Sequence, residues 1–305
     1  MDKKFIRGLV PAVFTPFDKD GEVDFSVITP YAERLISEGA DGVFVCGTTG
    51  ESPSMTLDER KKVLEEWIKV VNGRIPVIAH VGGTCQKDCI ELAAHAKESG
   101  AAAIASVPPY YFRPGSAEGL VEFFRPVSAA ASGIPFYYYH IPCVTGVNPD
   151  TVAFLEKGAE AMPDLAGIKF TDTNFMAMTK CVNHQDGRFN ILNGFDEMLL
   201  DGLASGAQGG VGSTYNYAFA IYRNIMDAWE KGDVLKARLW QQHSIDLVDV
   251  IIRHGGGVRG GKAVMKALGF DCGNCRRPFE PFTDAEIEEV KAELAAISFD
   301  TINNI

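Results

Sequence analysis

Lys169 ends an apolar run, Leu165-Ala166-Gly167-Ile168, and is followed by Phe170 and Thr171. A lysine at the end of a buried strand loses water, and burial disfavours the ammonium form. The neutral amine is the nucleophile that condenses with a carbonyl to give a Schiff base. A lysine there can also snorkel to a rim or pair with a carboxylate. Tyr139 belongs to the run Tyr137-Tyr138-Tyr139, in which Tyr137 and Tyr139 share a face if the run is a strand. A phenol facing a site can relay a proton; otherwise it is an aromatic filler with a satisfied hydroxyl. Gly47-Thr48-Thr49-Gly50-Glu51 sets two hydroxyls between glycines. Glycines admit a ligand close to the backbone, and successive N–H groups form an anion nest. A tight turn with a helix cap uses the same residues. Asp196 and Glu197 can complement a helix dipole or accept hydrogen bonds from a polyol.

These groups need a frame, and the hydropathy pattern supplies one. Short apolar runs alternate with amphipathic ones. GLVPAVFTPF (Gly8–Phe17), DGVFVCG, IPVIAHV, AAAIASVPP, IPFYYYHIP, LAGIKFT, FNILNG and GGVGS read as eight strands. A helical stretch follows each. Thr56 is the expected N-cap of LDERKKVLEEWIKVV, Ser116 of AEGLVEFFRPVSAAA, and Thr84 is placed to cap the helix through Cys89, Leu92, Ala93 and Ala96. Near-continuous apolar strands belong in a covered parallel sheet. Eight βα units predict an α/β fold, the (β/α)8 TIM barrel, with chemistry at the C-terminal strand ends. A doubly wound open sheet is the alternative, weakened by the lack of GxGxxG after the first strand. The barrel is expected over residues 1–215. Residues 216–305 carry only helical patterns and are expected to form a C-terminal helical extension packed on it. RGGK at 259–262 reads as a glycine turn or a helix start.

Composition narrows the partners. Twenty-nine basic against forty acidic residues leave a net charge of −11, with no basic stripe, so nucleic acid and anionic membranes are excluded as expected partners. The start has no apolar stretch long enough for a signal peptide or a membrane span. Seven cysteines, an odd number with several inside apolar runs, suggest a reduced, cytoplasmic protein. Cys272 and Cys275 form a lone CxxC, and the histidines show no ligand spacing, so no metal and no cofactor are expected.

GTTGE, PPYY, YYYHIPCVTGV, GIKFTDT, NGFDE and GGVGSTYN, in this order at strand ends, resemble the N-acetylneuraminate lyase and dihydrodipicolinate synthase family of class I pyruvate aldolases. The resemblance runs from about Gly8 to Pro281. It implies the barrel with added helices, usually as a homotetramer. It implies Lys169 as Schiff-base lysine for pyruvate and Tyr139 as proton relay. Thr48 and Thr49 would hold the pyruvate carboxylate, Thr49 would join the relay, and Tyr111 would approach from a neighbouring subunit. In dihydrodipicolinate synthases an arginine stands two residues after the proline of YYYHIP; here Val144 does, and it cannot grip a carboxylate. The sialic acid lyases carry an apolar residue there. Their sugar-binding set maps onto Thr171, Gly194, Asp196, Glu197 and Ser213. The expected activity is therefore cleavage of a sugar acid to pyruvate and an aldose, N-acetylneuraminate first. Dihydrodipicolinate synthesis, or an aldolase or dehydratase acting on another 2-keto sugar acid, is the alternative.

Overall fold

The computed structural model describes residues 5–303. Eight parallel strands, β1 (Gly8–Pro11), β2 (Val43–Val45), β3 (Val77–His80), β4 (Ala103–Ser106), β5 (Phe136–His140), β6 (Leu165–Phe170), β7 (Asn190–Asn193) and β8 (Gly209–Gly212), pair in sequence, with β8 beside β1. Ala12 bridges Phe44 in parallel and Val13 N donates to Phe44 O at 3.1 Å, which closes β1 on β2. Helices separate the strands, as the expected (β/α)8 barrel requires.

The apolar residues divide into two layers. Val10, Phe44, Ile78, Ala105, Tyr137, Tyr139, Leu192 and Val211 fill the barrel. Leu9, Val43, Ile104, Phe136, Tyr138 and Ile191 face the helices. Tyr137 and Tyr139 thus share the inner face and Tyr138 the outer one, the alternation that a strand imposes. On β6 the alternation is broken. The β5–β6 register shifts between Phe136 and Tyr137, which face Leu165 and Gly167. The extra residue is Ala166, and it lies in the inner layer. This bulge resets the phase of β6, so that Lys169 also points inward.

Most predicted elements are present with shorter bounds. β1 stops at Pro11, because Phe14 and Phe17 already belong to the loop above it. Thr56 caps its helix in a reciprocal capping box with Glu59, and Ser116 accepts from Gly119 N. Thr84 is not a cap: its helix is Gln86–Ser99, Cys85 takes the N-cap position, and no side chain bonds there. RGGK is not a turn; it lies in the first two turns of the helix Gly256–Ala267, close to the helix-start reading. A one-turn helix, Pro142–Thr145, and a last one, Phe299–Asn303, were not foreseen. After β8 come Phe219–Glu230, Val234–Arg253, Gly256–Ala267 and Asp284–Ala296. No helix of the described residues is long and apolar enough to cross a membrane.

The second of these helices braces the strand ends. Gln241 and Ser244 donate to the Asp196 carbonyl at 3.2 and 3.3 Å, and Gln241 Oε1 accepts from Leu200 N at 2.8 Å. The turn after β7 is therefore held from the C-terminal part of the chain.

Candidate active site

A cavity of about 350 Å³ opens at the C-terminal strand ends. Its wall contains Thr48, Thr49, Tyr139, Lys169, Thr171, Gly194, Asp196, Glu197 and Ser213. Nine of the ten expected site residues are thus brought together. Tyr111 is not. It sits on the loop after β4, 78% exposed beside Phe112, and lies outside the wall of this cavity.

Lys169 is buried at the floor. Its Nζ lies 3.9 Å over the Tyr139 ring and 4.6 Å over the Phe44 ring. Among the described residues it has no carboxylate partner, so the amine is held by aromatic faces and is left available to a carbonyl. The Tyr139 hydroxyl is 3.4 Å from Thr48 Oγ1. A hydroxyl on that loop and the phenol thus share one hydrogen-bonded contact beside the amine.

Asp196 and Thr171 belong to the same cavity wall. Asp196 Oδ2 accepts from Thr214 N at 2.9 Å and Thr214 Oγ1 at 2.6 Å. Asp196 Oδ1 and Thr171 Oγ1 are buried and have no hydrogen-bond partner among the described residues. Each is packed against a glycine, in the space that a side chain there would occupy. A Cβ at Gly212 would stand 1.7 Å from Asp196 Oδ1, and one at Gly194 would stand 1.9 Å from Thr171 Oγ1. Buried oxygens normally find a partner. Asp196 Oδ1 and Thr171 Oγ1 are instead packed against the backbone of Gly212 and Gly194, while both residues contribute to the cavity wall. Burial pushes the Asp196 carboxyl above the ordinary range, opposed by its Thr214 bonds. Burial and then the Asp196 charge push Glu197 the same way.

The sequence did not reveal the lid of this cavity. Val248, Ile251, Ile252, Gly257 and Val258 complete its wall from two C-terminal helices. The spacing of Val248, Ile251 and Ile252 marks one helix face, a signal equally expected of core. Nor was Thr214 singled out, though its hydroxyl fixes Asp196. Among the described residues no group of His, Cys, Asp and Glu is placed to hold a metal ion.

The model of the dihydrodipicolinate synthetase family matches residues 5–297. The N-acetylneuraminate lyase of Rattus norvegicus is 38% identical over 302 residues, covering 97% of this chain and 94% of its own. Among solved structures, an N-acetylneuraminate lyase from Aliivibrio salmonicida superposes with a TM-score of 0.94 at 35% identity, over 97% of this chain and 98% of the other. That of Proteus mirabilis gives 0.93 at 35% identity, over 97% and 100%.

Proposed function

The chain belongs to the dihydrodipicolinate synthetase family, and from that premise we propose that its cavity carries out the reversible aldol cleavage of N-acetylneuraminate to N-acetylmannosamine and pyruvate. It is a carbon–carbon lyase and a class I pyruvate aldolase. The observation that carries the assignment of roles is the buried Lys169 amine stacked on Tyr139, in one cavity whose wall also holds Thr171, Gly194, Asp196 and Glu197.

Lys169 attacks the ketone of the open-chain sugar acid and water leaves, giving an iminium. The iminium accepts the electron pair of the bond between C3 and C4 as that bond breaks. The Tyr139 phenol relays the C4 hydroxyl proton, accepting it as it passes its own proton onward toward the enamine, so that the C4 carbon leaves as an aldehyde. Protonation of the enamine at C3 and hydrolysis of the imine release pyruvate and restore the amine. Thr48 and Thr49 receive the carboxylate of the pyruvyl end through the backbone of their loop, and Thr48, whose Oγ1 is 3.4 Å from the Tyr139 hydroxyl, joins the hydroxyl relay in place of the expected Thr49. Thr171, Gly194, Asp196, Glu197 and Ser213 receive the polyol tail.

Val144, at the cavity edge, offers no charge to a second carboxylate, which favours the sugar acid over a dihydrodipicolinate synthase reaction. We read the working enzyme as a homotetramer. The exposed Tyr111–Phe112 pair supports contact with another copy, through which Tyr111 would reach a neighbouring cavity. All seven cysteines are free, which supports a reducing, cytoplasmic setting. The test is incubation with pyruvate and borohydride followed by peptide mapping, alongside pyruvate release from N-acetylneuraminate. A reduced pyruvyl adduct on Lys169, absent from Lys169→Ala, is expected. Unchanged labelling of Lys169→Ala overturns the assignment.

A further inference from the structure

We propose that the buried ion pair between Lys262 and Glu51 is a positioning device for the GTTGE loop, and that it sets Thr48 and Thr49 where the pyruvate carboxylate binds. The inference rests on the reading of the site given above.

Lys262 Nζ lies 2.8 Å from Glu51 Oε1, with the two side chains 0% and 1% exposed. Lys262 does not line the cavity, so it touches no substrate and acts through Glu51. Its amine also donates to Asn274 O at 3.3 Å and lies 4.4 Å over the Phe17 ring. Glu51 Oε2 accepts from Arg276 N at 2.9 Å. The carboxylate is thus gripped from a helix and from the following strap of chain, both far away in sequence.

What is gripped is a strained residue. Glu51 has φ +56°, in the left-handed region that a side chain disfavours. Such a conformation persists where surrounding contacts over-determine it, and it clusters at ligand sites. Glu51 N donates to Thr48 O at 3.0 Å and Ser52 N to Gly47 O at 3.2 Å. The peptide that Lys262 holds is therefore bonded to the residue proposed to meet the carboxylate. At its other end the loop is held again: Cys46 has φ +57° and His80 Nδ1 lies 2.9 Å from Cys46 O. A buried ion pair is a poor source of net stability, because desolvation offsets its attraction. Fixing a geometry is the service such a pair renders here. The helix that carries Lys262 also carries Gly257 and Val258 of the cavity wall, so one element sets both the loop and the lid.

Lys262→Met and Glu51→Gln, made in the full chain, test this in the condensation direction. The KM for pyruvate is expected to rise roughly tenfold or more, since a displacement of about 1 Å at a positioning group can cost 10²-fold. The KM for N-acetylmannosamine stays within about twofold. A merely structural role lowers the active fraction and leaves both KM values alone. If Lys262→Met does not fold, the double variant with Glu51→Gln removes the unpaired buried charge and reads the same two constants. Glu51→Gly, which accepts the left-handed φ without strain but loses the pair, is expected to share the pyruvate defect. Folded variants whose pyruvate KM is unmoved, or in which both KM values rise together, overturn the proposal. Pyruvate and borohydride labelling of the parent separates the two levels. A parent that labels at Lys169 with variants of normal pyruvate KM overturns the clamp alone; a parent that does not label overturns the clamp and the reading beneath it.

Discussion

Lys169 Nζ lies 3.9 Å over the centre of the Tyr139 ring, and the two residues are register partners on β6 and β5. The amine rests on the face of the ring, not on its hydroxyl. The ring therefore positions the nucleophile, while the phenol oxygen points to Thr48 and can serve the substrate. One side chain has two separable duties.

That separation is testable. Tyr139→Phe keeps the face and removes the hydroxyl. Cleavage of the sugar acid is expected to slow by about 10²- to 10⁴-fold, the usual share of a general acid–base group. Borohydride trapping of pyruvate at Lys169 should persist. Tyr139→Ala removes the face too, and trapping should fall with turnover. Equal turnover in Tyr139→Phe and the parent removes the relay role.

The strands and their chemistry were legible because each strand is a short apolar run ending in polar residues. The orientation of Lys169 was less so. Strict alternation from Leu165, an outer-layer residue, puts Lys169 on the outer side as well; only the bulge at Ala166 turns it inward. A one-residue slip in β6 has no signature beyond the small residues Ala166 and Gly167. Thr84 was misjudged because a threonine near a helix start meets the cap preference, whereas the first turn begins one residue later. The Lys262–Glu51 pair joins residues 211 positions apart, and no local pattern announces a contact of that separation.

Asp196 is the clearest case of binding set against stability. Its Oδ2 is satisfied by Thr214, while its Oδ1 is buried against Gly212 without a hydrogen-bond partner among the described residues. In Asp196→Asn the amide oxygen can keep both Thr214 bonds and the NH₂ takes the place of Oδ1. An acceptor becomes a donor, and a buried charge disappears. Thermal stability is expected to hold or rise. Efficiency on N-acetylneuraminate should fall about 10- to 150-fold, as expected for a charge-assisted bond of about 1.5–3 kcal/mol. Low pH does the same chemically. Because Asp196 and Glu197 are both pushed upward, the sugar-acid KM should climb at pH values where an ordinary carboxylate is still ionised. Trapping of pyruvate should not follow it. A sugar-acid KM that is flat down to pH 4.5 contradicts the polyol role.

His80 sets a different pH dependence. Burial, and then the nearby Arg60 charge, hold its imidazole well below the usual value of 6.5. The folded protein therefore keeps His80 neutral while the unfolded chain takes up a proton. The stability this gives is complete above about pH 6.5 and is lost as pH falls below it, toward the lowered folded value. Melting temperatures measured from pH 7.5 to 5 should decline, and His80→Gln should flatten that decline. A variant with the parent's slope would assign the acid sensitivity to other groups.

Gly194 makes the sharpest claim on the sugar side. A Cβ there would stand 1.9 Å from Thr171 Oγ1 and 3.1 Å from the Phe170 carbonyl. Gly194→Ala must push Thr171 aside, at about 1–3 kcal/mol of overpacking. Stability and sugar-acid cleavage should both fall. Thr171→Ala in the same chain removes the clashing hydroxyl and leaves the residue 171 Cβ at 2.9 Å and the Phe170 carbonyl at 3.1 Å to adjust. The double variant should recover much of the lost melting temperature. It should not recover sugar-acid efficiency, because the Thr171 hydroxyl proposed to meet the polyol is gone. Pyruvate trapping at Lys169, which needs none of the groups changed here, should stay near the parent level in both variants. If the double variant regains cleavage of N-acetylneuraminate along with its stability, Gly194 and Thr171 serve packing alone, and the polyol tail must be held elsewhere.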